Sequence, residues 1–213
     1  MPSLVYGSPV FQNVTESCMA IGGSLLRTAS VQRCSLLAIA ARLSDFFVSN
    51  SKTEKEGMEI ETLLDEWFEN RIVSSIPITD TMHAYTLVLY FDCKMLLNKH
   101  SQSDRAHSGL SGKEPHHCKL IAIHSACSIA AISSSSAIEC DRISRPLVTA
   151  ALVLLSALQP KTFIGTDTPF YDVKQAFLRE RAEVLVNSLT RLGYGNVVAR
   201  SDADKLRNLL HSV

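Results

Sequence analysis

Apolar side chains recur every three or four residues along most of the chain, the spacing of one face of an α-helix. From Leu25 to Phe47 that face is made by Leu36, Ile39, Ala40, Leu43 and Phe47. The polar stretch Ser49 to Gly57 reads as a linker. Ile60, Leu63, Leu64, Trp67, Phe68 and Ile72 then repeat the pattern, with Glu61, Asp65, Glu66 and Glu69 on the opposite face. Ile76-Pro77 closes this unit, because proline lacks the N–H that would continue a helix and disfavours helical backbone at the residue before it.

Asp80 is placed to cap the next helix, which runs to about His100. Tyr85, Val88, Leu89, Cys93, Leu96 and Leu97 make it apolar over most of its circumference, which predicts a central position. Ser101 to Glu114 is polar, carries two glycines, and reads as a flexible surface loop. Pro115 suits a first helical turn. The helix after it is lined by Ala122, Ala126, Ala130 and Ala131 beside Leu120, Ile123, Ile129 and Ile132, and four serines, Ser133 to Ser136, weaken its end. Ser144 and Pro146 start an apolar helix through Leu158, and Thr168-Pro169 starts another. The buried stripe of that last helix comprises Phe170, Val173, Phe177, Val184, Leu185, Leu189 and Leu192, with Gly193 as its stop. Ser201 and Asp204 begin a final short helix carrying Leu206, Leu209 and Leu210, and Asn196 to Ala199 is too short to count as a strand. The expectation is an all-α fold, an irregular multi-helix bundle of about seven helices. Residues 1–24 form a poorly ordered N-terminal segment, and 25–213 form one helical domain with a flexible loop near 101–114.

Composition narrows the function classes. Hydrophobic residues make up 46% of the 213 and charged residues 20%, a globular balance. Lys and Arg equal Asp and Glu at 21 each, so no net field draws the chain to a phosphate backbone, and no direct nucleic-acid binding is expected. No membrane association is expected either. Leu147 to Leu158 would span roughly 18 Å as a helix, well short of the ~30 Å of bilayer hydrocarbon, and prolines bracket it. The six cysteines, at 18, 34, 93, 118, 127 and 140, include no C-x-x-C pair and sit mostly within apolar helical patterns, which predicts reduced, buried thiols. Met1 to Gln12 has neither a basic flank nor a long apolar run, so no export signal is expected, and the Asn13-Val14-Thr15 sequon carries no weight.

Candidate chemistry is sparse. Gly109-Leu110-Ser111-Gly112-Lys113 lacks the spacing, the preceding strand and the following Ser or Thr of a phosphate-binding loop. His100, His107, His116, His117 and His124 cluster near Cys118 and Cys127, and His124 with Cys127 could share an ion. A closed zinc site needs four converging ligands, however, and no second pair at ligand spacing accompanies them. The carboxylates Asp65-Glu66 and Glu180 with Glu183 read as solvated, salt-bridged helix faces. Trp67, the sole tryptophan, reads as a core or interface anchor rather than a ligand-stacking residue. No catalytic, cofactor-binding or metal-binding residues are expected, and with no nucleophile, base or metal constellation the chain is not expected to be an enzyme.

Three segments taken in order resemble the middle homology region of fungal binuclear zinc-cluster transcription factors. Leu63-Leu64-Asp65-Glu66-Trp67-Phe68 with Ile76-Pro77 is similar to that family's leucine/tryptophan helix and proline-marked turn. Tyr85 to Leu97 resembles its long helix with a central tyrosine and closing leucine pair, and Cys118 through Ala126-Cys127 to Ile132 resembles its small-residue helix. The resemblance covers roughly residues 25–212. The six-cysteine DNA-binding cluster, basic region and coiled coil of the family have no counterpart here, and Asn98-Lys99-His100 replaces its usual arginine and proline. The resemblance implies a helical regulatory-type domain, later part only, with a nuclear role in transcription regulation. It would act through protein partners, self-association or a small-molecule effector, without its own zinc cluster. The alternative is a stand-alone helical protein–protein interaction adaptor, nuclear or cytoplasmic, unrelated to transcription. If helices that precede this part in the family are missing, the Leu25–Phe47 helix is where an apolar face should lie uncovered.

Overall fold

The computed structural model describes residues 24–49, 53–72, 81–103, 115–135, 143–159 and 169–212. They form seven α-helices: α1 (Ser24–Val48), α2 (Glu54–Ile72), α3 (Thr81–Ser103), α4 (Pro115–Ser135), α5 (Ser144–Leu158), α6 (Pro169–Leu192) and α7 (Val197–Ser212). Among the described residues there is no strand, and the fold class is all-α. The N-terminal segment to residue 23, Ile76-Pro77, the Asp80 cap, Thr168 and the loop at 104–114 lie outside the described residues, whereas α3 continues through Ser103. The helices fall into two compact units: α1 and α2 in one, α3 up to Lys99 with α4 to α7 in the other.

In the first unit, α1 and α2 pack as an antiparallel hairpin. Trp67 near the end of α2 reaches Gln32 near the start of α1, while Glu59 near the start of α2 reaches Arg42 near the end of α1. Leu36, Ile39, Leu43 and Phe46 on α1 are buried, as are Ile60, Leu64 and Trp67 on α2. The apolar stripe of α1 is therefore covered where its side chains are described, because α2 folds back along it. It ends on Phe46 rather than Phe47, whose half-buried ring lies against Phe46 at 5.6 Å. Of the stretch read as linker, Glu54 to Gly57 is already helical: Thr53 Oγ1 accepts from the Glu56 amide at 3.3 Å, a cap for the first turn. Glu61, expected on the solvent face, is buried at 5% exposure.

In the second unit α5 packs against α4, α6 and α7. Pro146, Leu147, Ala150, Ala151, Val153, Leu154, Leu155, Ala157 and Leu158 are all buried. Its polar side chains stay within the helix: Thr149 Oγ1 donates to the Arg145 carbonyl at 3.0 Å and Ser156 Oγ to the Val153 carbonyl at 2.8 Å. Ser144 is its first helical residue, and Ile143 in the capping position makes no side-chain bond. Gln159 turns extended, at ψ 131°, as the residue before Pro160 is pressed to do.

Two stripes shift from their expected register. On α4, Cys118, Ala122, Ala126, Ile129, Ala130 and Ser133 are buried, and Leu120 and Ala131 are exposed. On α6 the buried line is Leu178, Ala182, Leu185, Leu189 and Leu192; Phe177, one residue off it, is 44% exposed with the Arg181 guanidinium 5.0 Å over its ring. Gly193 does end α6, donating to the Leu189 carbonyl at 2.9 Å. A Cβ there would lie 2.9 Å from Arg200 Cβ, so it is closeness to α7 that demands glycine. The last helix begins four residues earlier than Ser201. Asn196 Oδ1 caps it, accepting from the amides of Val198 at 3.0 Å and Ala199 at 3.1 Å.

Candidate functional site

A shallow open groove of about 760 Å³ lies at the loop end of the α1–α2 hairpin. It exists because Arg42 on α1 crosses to Glu59 on α2, Nη2 to Oε2 at 2.6 Å, bridging the helices where no large apolar side chain fills the gap. Met58, 49% exposed, and Leu63 give the groove its apolar surface, with Thr62 between them and Glu54 and Lys55 at the margin. Both partners of the Arg42–Glu59 pair are partly exposed, so the pair contributes at most about 1 kcal/mol and serves chiefly to shape the wall. In the sequence Leu63 falls in a core stripe, and nothing in the periodicity singles out Met58. Only the placement of Arg42 opposite them makes the groove.

Helix α2 is also strongly acidic. Its sequence has seven acidic residues, Glu54, Glu56, Glu59, Glu61, Asp65, Glu66 and Glu69, against two basic ones, Lys55 and Arg71. Glu66 and Glu69 are exposed and, among the described residues, have no ion-pair partner. A chain neutral as a whole thus carries one markedly negative helix.

A second polar feature is internal. Asp92 on α3 is largely buried, and burial pushes its carboxyl from the ordinary 3.8 up to about 6, against the opposing pull of Arg145 on α5. Its Oδ1 has no hydrogen-bond partner among the described residues. The thiol of the adjoining Cys93 is pushed up to about 12, first by burial and then by the Asp92 charge, so at neutral pH it is a protonated packing group rather than a nucleophile. Asn98, one turn and a half further on, is 1% exposed; its Nδ2 donates to the Lys94 carbonyl at 2.9 Å while Oδ1 is unpaired among the described residues.

Between α6 and α7 a cleft of about 210 Å³ is lined by Glu183, Val186, Asn187, Arg207, Leu210 and His211. That is below the ~300 Å³ at which sites for small organic ligands begin. Its arginine is also committed, Nη2 donating to Thr190 Oγ1 at 2.8 Å and Nη1 to Asp204 Oδ1 at 3.0 Å.

The residues singled out in the sequence are scattered. His117 and His124 are exposed, Cys118 is buried and Cys127 half-buried. The His124 ring meets the Phe91 ring edge-on with centroids 6.5 Å apart, which accounts for its position without an ion. Among the described residues no three His, Cys, Asp or Glu side chains come together as metal ligands would. Cys34, Cys93, Cys118 and Cys127 are in no disulfide. Burial also raises the Cys127 thiol, against the nearby Arg181 charge. The side chains of His100, His107, His116 and Cys140, and the whole of Gly109 to Lys113, lie outside the described residues. Glu66, Glu180 and Glu183 are exposed, and Trp67 is buried with its indole N–H bonded to α1. No described helix is long and apolar enough to cross a membrane. The chain matches no known protein family, no curated protein and no solved structure.

Proposed function

We propose that this chain is a transcription-regulator-like helical module that works by protein contact, without a DNA-binding zinc cluster of its own, in the nucleus. The observation that carries the reading is the hairpin groove: apolar at Met58 and Leu63, walled by Arg42 and Glu59, and set on a helix with a large excess of carboxylates. A shallow, open surface of this kind suits a protein segment laid across it better than a small molecule, which needs enclosure on most sides. The neutral overall charge and the buried, protonated state of Cys93 support a contact role over nucleic-acid reading or thiol chemistry. The ordered resemblance of the α2, α3 and α4 segments to the middle homology region supplies the link to transcription.

The test is a fusion of the full chain to a foreign DNA-binding domain, with location and reporter output measured together. The reading expects nuclear accumulation and a change in reporter activity that Met58→Lys abolishes while circular dichroism stays the same. A cytosolic, inert fusion overturns it and leaves the adaptor alternative.

A further inference from the structure

We infer that Ser30, near the start of α1, is a phosphorylation site for an arginine-directed serine/threonine kinase. The inference goes beyond the contact reading and does not depend on the groove, since Arg42 stands twelve residues further along α1, roughly 18 Å away by helical rise. Three arginines of the chain, Arg27, Arg71 and Arg105, have a serine three residues later. Only at Ser30 is the residue five before that serine apolar: it is Leu25, against Glu69 before Ser74 and Ser103 before Ser108. Leu25 to Ser30 therefore offers a kinase cleft a guanidinium for its carboxylates and a leucine for an apolar pocket. Nothing acidic opposes this attraction. From Ser17 to Ser44 the chain has no Asp or Glu, and its charges are Arg27, Arg33 and Arg42.

The fold leaves this hydroxyl available. Ser30 is exposed, and among the described residues its hydroxyl has no hydrogen-bond partner. Ser35 and Ser44 on the same helix give theirs to the carbonyls of Gln32 and Ala40. Val31 to Cys34 are half-buried, Ser35 is exposed, and the first buried side chain among those described on α1 is Leu36. Trp67 pins α1 at the Gln32 carbonyl, two residues beyond Ser30. A kinase cleft takes its substrate extended, so the helix must unwind as far as Val31. Helix ends that bury little open at low cost, and the pin and the buried residues after it stay in place. Ser30 Oγ then attacks the γ-phosphorus of ATP, its proton passes to the catalytic aspartate of the kinase, the bond to the bridging oxygen breaks, and ADP leaves. Seven residues, nearly two turns, separate Ser30 from the exposed Leu37, so in the rewound helix the phosphate lies on the solvent side, away from α2. It brings a charge of about −1.5 to −2 to a stretch that held no negative charge.

Incubation of the folded full chain with magnesium ATP and the catalytic domain of a calcium/calmodulin-dependent protein kinase tests this. Trypsin cuts after Arg27 and Arg33, so mass spectrometry should find one phosphoryl group on the fragment Thr28–Arg33, and its fragment ions should place that group on Ser30. Ser30→Ala should lose this phosphate, and Ser30→Thr, which keeps a hydroxyl, should still accept one at the same position. Arg27→Gln should slow labelling by about tenfold or more, with unchanged circular dichroism. Trp67 fluorescence should be the same before and after phosphorylation, because the modified turn precedes the pin. A Thr28–Arg33 fragment that carries no phosphate, or carries it on Thr28, overturns the inference. So does an Arg27→Gln chain labelled at the wild-type rate, or a Ser30 that is labelled only after the chain has been denatured.

Discussion

The indole Nε1 of Trp67 donates to the backbone carbonyl oxygen of Gln32 at 2.7 Å, and the same oxygen accepts from Ser35 Oγ at 2.8 Å. One carbonyl of α1 is thereby the pin of the whole hairpin. Trp67→Phe keeps the ring and loses the donor, and should cost about 0.5–1.5 kcal/mol. Trp67→Ala also opens a cavity in a unit with few large side chains, and should cost about 3–5 kcal/mol. Urea unfolding followed by far-ultraviolet circular dichroism separates the two. In the wild type, fluorescence of this sole tryptophan reports loss of the hairpin.

Asp92 sets a pH dependence of definite sign. Its folded-state carboxyl titrates near 6, above the 3.8 of the unfolded chain, so between those values the folded state holds the extra proton. The contribution of this group to stability is complete below the lower value and is lost as pH rises through the upper one. Asp92→Asn should remove that decline. The variant should match or fall below the wild type near pH 4 and exceed it at pH 7 by at most about 3 kcal/mol. Denaturant titrations at pH 4, 5, 6 and 7 measure the crossing; a variant whose stability tracks the wild type across the series would remove Asp92 as the cause.

Gly193 and Gly195 form a matched pair. Gly193→Ala drives a Cβ to 2.9 Å from Arg200 Cβ and 3.0 Å from its Cα, so α6 and α7 must part, at a cost of about 1–3 kcal/mol. Gly195→Ala meets nothing within 4 Å and should be neutral or stabilising by up to about 1 kcal/mol. Thermal unfolding of both proteins reads the difference directly.

Periodicity made the helices legible, because apolar residues three and four apart can share a buried side only in a helix. It placed Leu36, Leu64, Val88, Leu154 and Leu189 in the core. It failed where two adjacent apolar residues compete for one slot. Phe46 was missed for Phe47, and Leu178 for Phe177, since a one-residue step rotates a side chain by roughly 100° and only the neighbouring helix decides which is covered. Ser201 with Asp204 mimics a capping box and draws the start of the last helix away from Asn196, whose Oδ1 caps it in the structure. Burial of Glu61 follows from packing that no local pattern encodes. The groove was the least legible feature. It depends on Arg42 and Glu59 meeting across two helices, and residues seventeen apart leave no periodic trace.

Helix α5 carries a consequence for how the chain is made. Its partners α4, α6 and α7 are synthesised on both sides of it, and its outward surface is nearly all hydrocarbon because its hydroxyls are turned back on its own carbonyls. A ribosome that has released α5 but not yet α6 holds an oily rod with most of its lining still inside the exit tunnel. Closure of the larger unit must therefore wait until translation of α6 and α7 is finished, and during that interval the apolar face of α5 stays uncovered.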